Sequence, residues 1–378
     1  MRGAEAEAYP IDERHLERQV PALSGTPDHA SFYRKYGLDQ SLDPTPYFLT
    51  EWYSWQNPDW REHFASPYQH YLSAGQREGR DPSPFVDMTR FHEATLGAVP
   101  RETAYFAILS GLRGAALGIY ESENDLTAAR ERFLGSLSPC IHRMVPPCRR
   151  RQALVVCQAG PSDCIDRWAV ADDRDWDLML NYYDASGHRH GLGEYVLFQK
   201  GTKFTAMKRL LDDFGDLLMT YDHVLFLDDD IETTAGDLNS LFAVCRAEEL
   251  DLAQMSLTPD SACNWTHLYA RPGGGRPRAV SAVEIMMPVF SRRALAWIAP
   301  TLGQSVSGFG LDLVWGQLLA QRGGRIAVLD DIAATHARPV DQAEGGYYRY
   351  LRQNGINAKA ELWTLLRRYG ASRDVLSA

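Results

Sequence analysis

An apolar run that ends in three adjacent carboxylates is the feature that most limits how this chain can fold. His223–Leu227 (HVLFL) reads as a buried strand and runs directly into Asp228-Asp229-Asp230. Three charges side by side repel one another, so the cluster costs stability unless a cation offsets it. A hard divalent cation does so well, because it takes oxygen ligands. Successive residues of an extended chain point to opposite sides, so Asp228 and Asp230 can address one ligand together. The alternative is an acidic loop capping the next helix, for which Glu232-Thr233-Thr234 supplies cap chemistry.

The neighbouring sequence has the same texture. Ala153–Cys157, Asp177–Tyr183, Asp251–Ser256, Ala282–Phe290 and Arg325–Leu329 read as further strands. Phe204–Leu218, Leu241–Glu249 and the end of Gly308–Ala320 read as helices. Strands alternating with helices predict an α/β domain with a largely parallel sheet flanked by helices. Ligands of such sheets sit beyond the carboxyl ends of the strands, where Asp184 and Asp228–Asp230 fall.

Three more patterns are candidates for chemistry. His336 follows the last strand; neutral imidazole suits manganese-like ions, although a single His is commonly a surface or core residue. Ser307-Gly308-Phe309-Gly310-Leu311-Asp312 is a glycine-bracketed loop entering a helix, and glycine lets backbone approach a substrate closely. Asp312 either complements the helix N-terminus or acts as a general base on an acceptor hydroxyl. Lys200-Gly201-Thr202-Lys203-Phe204 precedes a helix, so its lysines and free N–H groups either face a diphosphate or are simply solvated.

Upstream, residues 1–25 read as a loose polar tail. Phe32-Tyr33, Gly37 and Asp43-Pro44-Thr45-Pro46-Tyr47 match His70-Tyr71, Gly75 and Asp81-Pro82-Ser83-Pro84-Phe85 at a constant offset of 38. A fixed period of this size marks repeated supersecondary units. Each unit reads as a short helix, a left-handed glycine cap and a DPxP-aromatic turn. The aromatics of Phe48–Trp60 either pack a core or stack on sugars. Tyr105–Tyr120 is too short to span a bilayer, is interrupted by Arg113, and predicts a buried amphipathic helix. Glu123–Leu137 has helical periodicity, and Met144–Gln152, with two prolines and three arginines, marks a boundary. The expected division is a tail over 1–25, a separate small helical repeat region over 26–95 and a helical connector over 96–150. The α/β domain then covers 151–345, and a helical segment 346–378.

The 378 residues carry 39 basic and 49 acidic side chains, a net charge of −10, which argues against broad nucleic-acid binding. The six cysteines form no CxxC pair, and MRGAEAEAYP lacks an apolar signal core. Both features predict a cytoplasmic protein with reduced thiols and no transmembrane segment. Peripheral membrane association stays open.

Four blocks in order, VLFLDDDI, VEIMMPVFSR, GFGLDLVWGQLL and VLDDIAATHARPV, resemble GT-A-type glycosyltransferases, and more closely a branch of that fold filed as a domain of unknown function. The resemblance covers about residues 151–345. The DPxP units resemble modules attached to bacterial surface-polysaccharide glycosyltransferases. The first resemblance implies a GT-A-like, Rossmann-related fold that transfers sugar from a nucleotide-sugar donor to a glycan or glycoconjugate acceptor, with Mn2+ or Mg2+ as cofactor. Asp228, Asp230 and His336 then map to the metal site. Asp184 and Asp228 map to the donor side, which Asp229, Lys200 and Lys203 join by position. Asp312 maps to the base, and Glu284 to the acceptor side, beside Gly308, Phe309 and Gly310. The loop departs from the family in having one carboxylate where two are common. LFLDDDIET also resembles the DxDx[TV] strand end of haloacid-dehalogenase-like phosphohydrolases, and a non-catalytic glycan-binding protein is a third reading.

Overall fold

The computed structural model describes residues 9–25, 28–137, 140–144 (backbone), 150–162, 164–184, 188–189, 191–263, 265–273, 277–338 and 345–372. The chain forms two compact units. One comprises Met1–Ala129 with Arg352–Ala360, the other Arg130–Leu351 with Glu361–Ala378.

The first unit is helical: α1 (Glu13–Gln19), α2 (His29–Tyr36), α3 (Thr50–Gln56), α4 (Pro67–His70), α5 (Met88–Ala94), α6 (Arg101–Leu109) and the start of α7 (Glu123–Gly135). Asp12, Asp28 and Asp87 cap α1, α2 and α5 by accepting a backbone N–H three residues on. The segment expected to be a loose tail is instead structured from α1: Leu16 is fully buried, and Gln19 exchanges two 2.8 Å hydrogen bonds with the Asp43 backbone. Residues 1–8 of that expected tail lie outside the described residues. Phe48, Trp52, Tyr53 and Trp60 are buried, so these aromatics pack a core.

Bonds in this unit recur 38 residues apart. Leu42 and Arg80 donate to the Gly37 and Gly75 carbonyls. Asp43 and Asp81 accept the N–H of Thr50 and Met88, which open α3 and α5. The glycines, however, are not left-handed caps. Gly37 has φ −60°, and the left-handed residues are Ser41 and Gly79, four further on. Gly37 and Gly75 are needed for space: a Cβ would lie 2.5 Å from the Tyr33 carbonyl oxygen or 2.3 Å from the Tyr53 hydroxyl. The expected helix over Tyr105–Tyr120 also stops early, at Leu109. Gly111 and Gly114 follow with φ of 110° and 130°, values that no helix accommodates.

The second unit is a mixed α/β structure. Its elements are β1 (Cys140–Met144), β2 (Ala153–Ala159), α8 (Cys164–Ala169), β3 (Trp176–Tyr182), β4 (Tyr195–Phe198), α9 (Lys203–Leu218), β5 (His223–Asp228), β6 (Ile231–Glu232) and α10 (Ala235–Ala247). There follow β7 (Leu252–Leu257), β8 (Arg278–Ala279), β9 (Val289–Ser291), α11 (Arg292–Leu302), α12 (Leu311–Ala320), β10 (Ile326–His336), and, except for their residues within Arg352–Ala360, α13 (Gly346–Gln353) and α14 (Ala358–Tyr369). The strand order is β1-β4-β3-β2-β5-β9-β7-β10-β6, with β8 beside β10. Strands β2, β3, β4, β5, β7 and β10 run one way, and β1, β6, β8 and β9 oppose them. Near-continuous burial of β2, β3 and β7 fits a sheet covered on both faces by helices.

The unit begins earlier than the boundary expected at 150. The end of α7 and β1 belong to it, β1 pairs with β4, and Phe133 packs edge-on against Tyr350. The expected strand over Ala282–Phe290 shrinks to Val289–Ser291. The preceding stretch does run beside β5, since Phe226 and Asp228 donate to the Pro288 and Met286 carbonyls. Pro288 has no N–H to return, so the ladder fails there. Cys157, Cys164, Cys245 and Cys263 are free thiols. Among the described residues no helix is long and apolar enough to cross a membrane.

Candidate functional site

The site gathers where β5 ends and β10 returns. β6 is only two residues long, but it pairs antiparallel with the end of β10, setting Ile231 opposite His336. Ala337 N–H then donates to the Asp230 carbonyl at 3.0 Å. Residues far apart in sequence thereby meet: His336 Nε2 lies 3.5 Å from Asp230 Oδ2. Nδ1 sits 2.7 Å from the Ala262 carbonyl, so it carries a proton and donates there. Burial opposes charge on this imidazole, but Asp230 and the Ala262 carbonyl outweigh it and raise its pKa to about 9. Asp230 is likewise resisted by burial and held below its ordinary value by His336.

Asp228 and Asp229 face different partners. Asp228 Oδ1 takes the Lys203 ammonium at 2.9 Å. Removal from water pushes Asp228 up to about 7 against the pull of Lys203, and Asp230 and Glu284 push the same way. Asp229, 6% exposed, accepts the Tyr183 hydroxyl at 2.9 Å and has Arg338 at 3.8 Å. Gly160 is required beside this pair, since a Cβ there would lie 2.1 Å from the Tyr183 hydroxyl oxygen. Asp184 follows Tyr183 at an exposed position just past β3.

Lys203 departs most from expectation. Its ammonium reaches the carbonyls of Phe226, Ile285 and Met286 at 3.0, 2.6 and 2.9 Å as well as Asp228. Three protons are thus shared among four acceptors, and the side chain is 9% exposed. Lys203 therefore ties β5 to the 285–286 turn rather than offering a free cation to a diphosphate. Lys200 is exposed in the preceding loop.

The glycine loop lies on the same side. Gly308, at φ +78°, faces the Phe204 ring so closely that a Cβ would lie 2.0 Å from Cε2, and Phe204 is next to Lys203. The buried Glu361 carboxylate holds the loop by accepting Ser305 Oγ–H, Val306 N–H and Ser307 N–H. Tyr347 donates to the Ser307 carbonyl at 2.7 Å. Phe309 meets Tyr348 edge-on at 6.0 Å. Gly310, at φ +84°, precedes α12, where buried Asp312 accepts the N–H of Leu313. Glu284 is half-buried. Burial raises its pKa, and its neighbourhood includes Lys203, His336 and Asp230.

Sequence reasoning passed over several of these groups. Ala262 acts through its backbone and has no sequence signal. Glu361 looks like any helix-surface glutamate. Tyr347-Tyr348 and Arg338 were visible as an aromatic doublet and a cation beside His336. Gln199, just past β4, Asn181 on β3 and Gln158 on β2 form a chain of side-chain amide hydrogen bonds toward Asp228, and nothing in their spacing announces it.

A divalent cation fits the donor set in part. Among the described residues no group of three or more His, Cys, Asp or Glu side chains is placed to hold a metal. Asp230 and His336 do converge, with the imidazole oriented by its second nitrogen as metal-ligating histidines usually are. One or two protein ligands completed by substrate phosphates is the usual arrangement for Mg2+. The chain matches no protein-family model and no curated protein.

Proposed function

We propose that the chain is a metal-dependent glycosyltransferase of GT-A type, transferring a sugar from a nucleotide-sugar donor to a glycan or glycoconjugate acceptor in surface-polysaccharide or glycoconjugate synthesis. The observation that carries the reading is the Asp230–His336 pair at a strand end, with His336 oriented by Ala262. Asp230 and His336 would hold Mn2+ or Mg2+, with Asp228 beside them. When bound, the cation offsets charge on the departing nucleoside diphosphate. Asp229, Tyr183, Arg338 and Asp184 line the donor side at the ends of β3 and β5. The Ser307–Gly310 loop, Tyr348 and Glu284 form the acceptor side, where the Phe309–Tyr348 corner offers aromatic faces to a sugar ring. The repeats of the first unit are read as two copies of one helix-and-turn module accompanying the transferase.

One observation favours a second reading. A cation on a strand-end carboxylate, as Lys203 is on Asp228, also suits a haloacid-dehalogenase-like phosphohydrolase with Asp228 as nucleophile. A melting-temperature screen of UDP, GDP, CDP and ADP with and without Mn2+ separates the two. The transferase reading expects a metal-dependent rise for one base. Binding at a hundredfold excess over Kd stabilises by about 2.7 kcal/mol. No rise with any nucleotide, or phosphate release from p-nitrophenyl phosphate that Asp228→Asn abolishes, overturns it.

A further inference from the structure

Both its place at a helix start and the resemblance give Asp312 the base role, but its setting does not suit that role. Asp312 lies on the first turn of α12 between buried Leu311 and Leu313, is 7% exposed, and accepts a backbone N–H on Oδ1. A carboxylate that takes a proton from a substrate hydroxyl needs an oxygen within hydrogen-bond reach of it. Glu284 is built for that. Its backbone N–H is anchored on Gln254 Oε1 at 2.8 Å, and its Oε2 accepts Met286 N–H at 2.6 Å. Its Oε1 accepts no hydrogen bond from the described residues, and the side chain is half-buried rather than enclosed.

The turn that carries Glu284 is tied to the aspartate run. Ile285 and Met286 carbonyls hold the Lys203 ammonium, and Met286 O also accepts Asp228 N–H. Glu284 thus shares its surroundings with Lys203, His336 and Asp230, and its charge reaches Asp228 and Tyr348. Tyr348 in turn meets Phe309. The turn that carries the carboxylate is therefore joined, through Lys203 and the Asp228 N–H, to the charged donor side.

We infer that Glu284, not Asp312, is the proton acceptor of the transfer, an inference that rests on the glycosyltransferase reading. The acceptor oxygen forms its bond to the anomeric carbon. The bond from that carbon to the diphosphate oxygen breaks, and its electron pair leaves with the diphosphate. The hydroxyl proton passes to Glu284 Oε1. Ser307–Gly310 and Tyr348 seat the acceptor, and Asp312 serves α12.

Hydrolysis of UDP- and GDP-linked hexoses with Mn2+, water standing in for the acceptor, tests this, with sodium azide added to a parallel set. Glu284→Gln should lose about a hundredfold or more in rate, the usual scale of general base catalysis, yet keep the Mn2+–nucleotide melting shift. Azide has no proton to give up, so it should restore glycosyl transfer in Glu284→Ala and not in Asp312→Ala. Hydrolysis by Glu284→Gln near the wild-type rate, absence of azide rescue in Glu284→Ala, or rescue of Asp312→Ala instead, overturns Glu284 as the base. Wild type that neither shifts with nucleotide nor hydrolyses any donor overturns the glycosyltransferase reading itself, and the base with it.

Discussion

His336 Nε2 stands 3.5 Å from Asp230 Oδ2 while its Nδ1 is tied to the Ala262 carbonyl. The imidazole therefore cannot turn away from Asp230 without leaving a carbonyl unpaired. His336→Ala and Asp230→Asn should each remove the Mn2+-dependent part of any nucleotide-induced melting shift. His336→Ala should also cost about 1–3 kcal/mol without metal, since it strands buried polar groups. Melting curves of each variant with nucleotide alone, and with nucleotide plus Mn2+, check both effects.

Lys203 and Lys200 looked alike in sequence and should behave differently. Lys203→Met takes the ammonium away from three carbonyls, of which Met286 O keeps the Asp228 N–H, and leaves Asp228 without its cation. Removing one partner of a buried pair costs about 3–5 kcal/mol, and the partial exposure of Asp228 points to the lower end. Lys200→Ala, at an exposed loop position, should change stability by about 0.5 kcal/mol or less. Urea midpoints of the two variants give the comparison; equal midpoints would refute it.

Much of the sheet unit was legible because its strands are near-continuous apolar runs, as in Ala153–Cys157 and His223–Leu227. The aspartate run sits at the strand end where the alternation placed it, whereas the last strand, expected to stop at Leu329, runs on to end at His336. What was not legible depends on chain reversal and backbone partners. The meeting of Asp230 with His336 needs the two-residue β6, too short to leave a periodic trace. The saturation of Lys203 depends on carbonyls, which every residue has. The reading of Gly37 and Gly75 as left-handed caps failed for a related reason. Glycine is used either for φ > 0 or for space, and only the packing of Tyr33 and Tyr53 decides which.

Acid should destabilise the second unit through Asp251. Its carboxylate, 1% exposed, accepts Arg293 at 2.6 and 2.7 Å, Ser291 at 2.8 Å and Arg325 N–H at 3.0 Å. Burial alone would raise its pKa, but these donors outweigh burial and hold it below the ordinary value. The unfolded chain titrates near 3.9, so below that pH it binds protons that the folded chain refuses. The contribution is full above about pH 4 and is lost as pH falls through the lower, folded value. Asp251→Asn should be less stable at neutral pH and should flatten the acid limb of melting temperature against pH. An unchanged acid limb would show that Asp251 is not its source.

Gly308 separates backbone strain from steric exclusion in the glycine loop. Ala there meets two penalties. Its φ of +78° costs an L-residue about 1–2 kcal/mol. Its Cβ would also lie 2.0, 2.2 and 2.5 Å from three atoms of the Phe204 ring. That ring is 3% exposed and 6.4 Å from the Trp315 ring, so it has little room to retreat, and such overpacking costs about 1–3 kcal/mol. Gly323 supplies the control, since its φ is +68° and a Cβ there would meet nothing within 4 Å. Gly308→Ala should therefore melt well below Gly323→Ala, the difference reporting the Phe204 clash. Phe204 follows Lys203, so displacing the ring also pulls on the ammonium that ties Asp228 to Glu284's turn. Gly308→Ala should then lose donor hydrolysis even at temperatures where it remains folded, and Gly323→Ala should not.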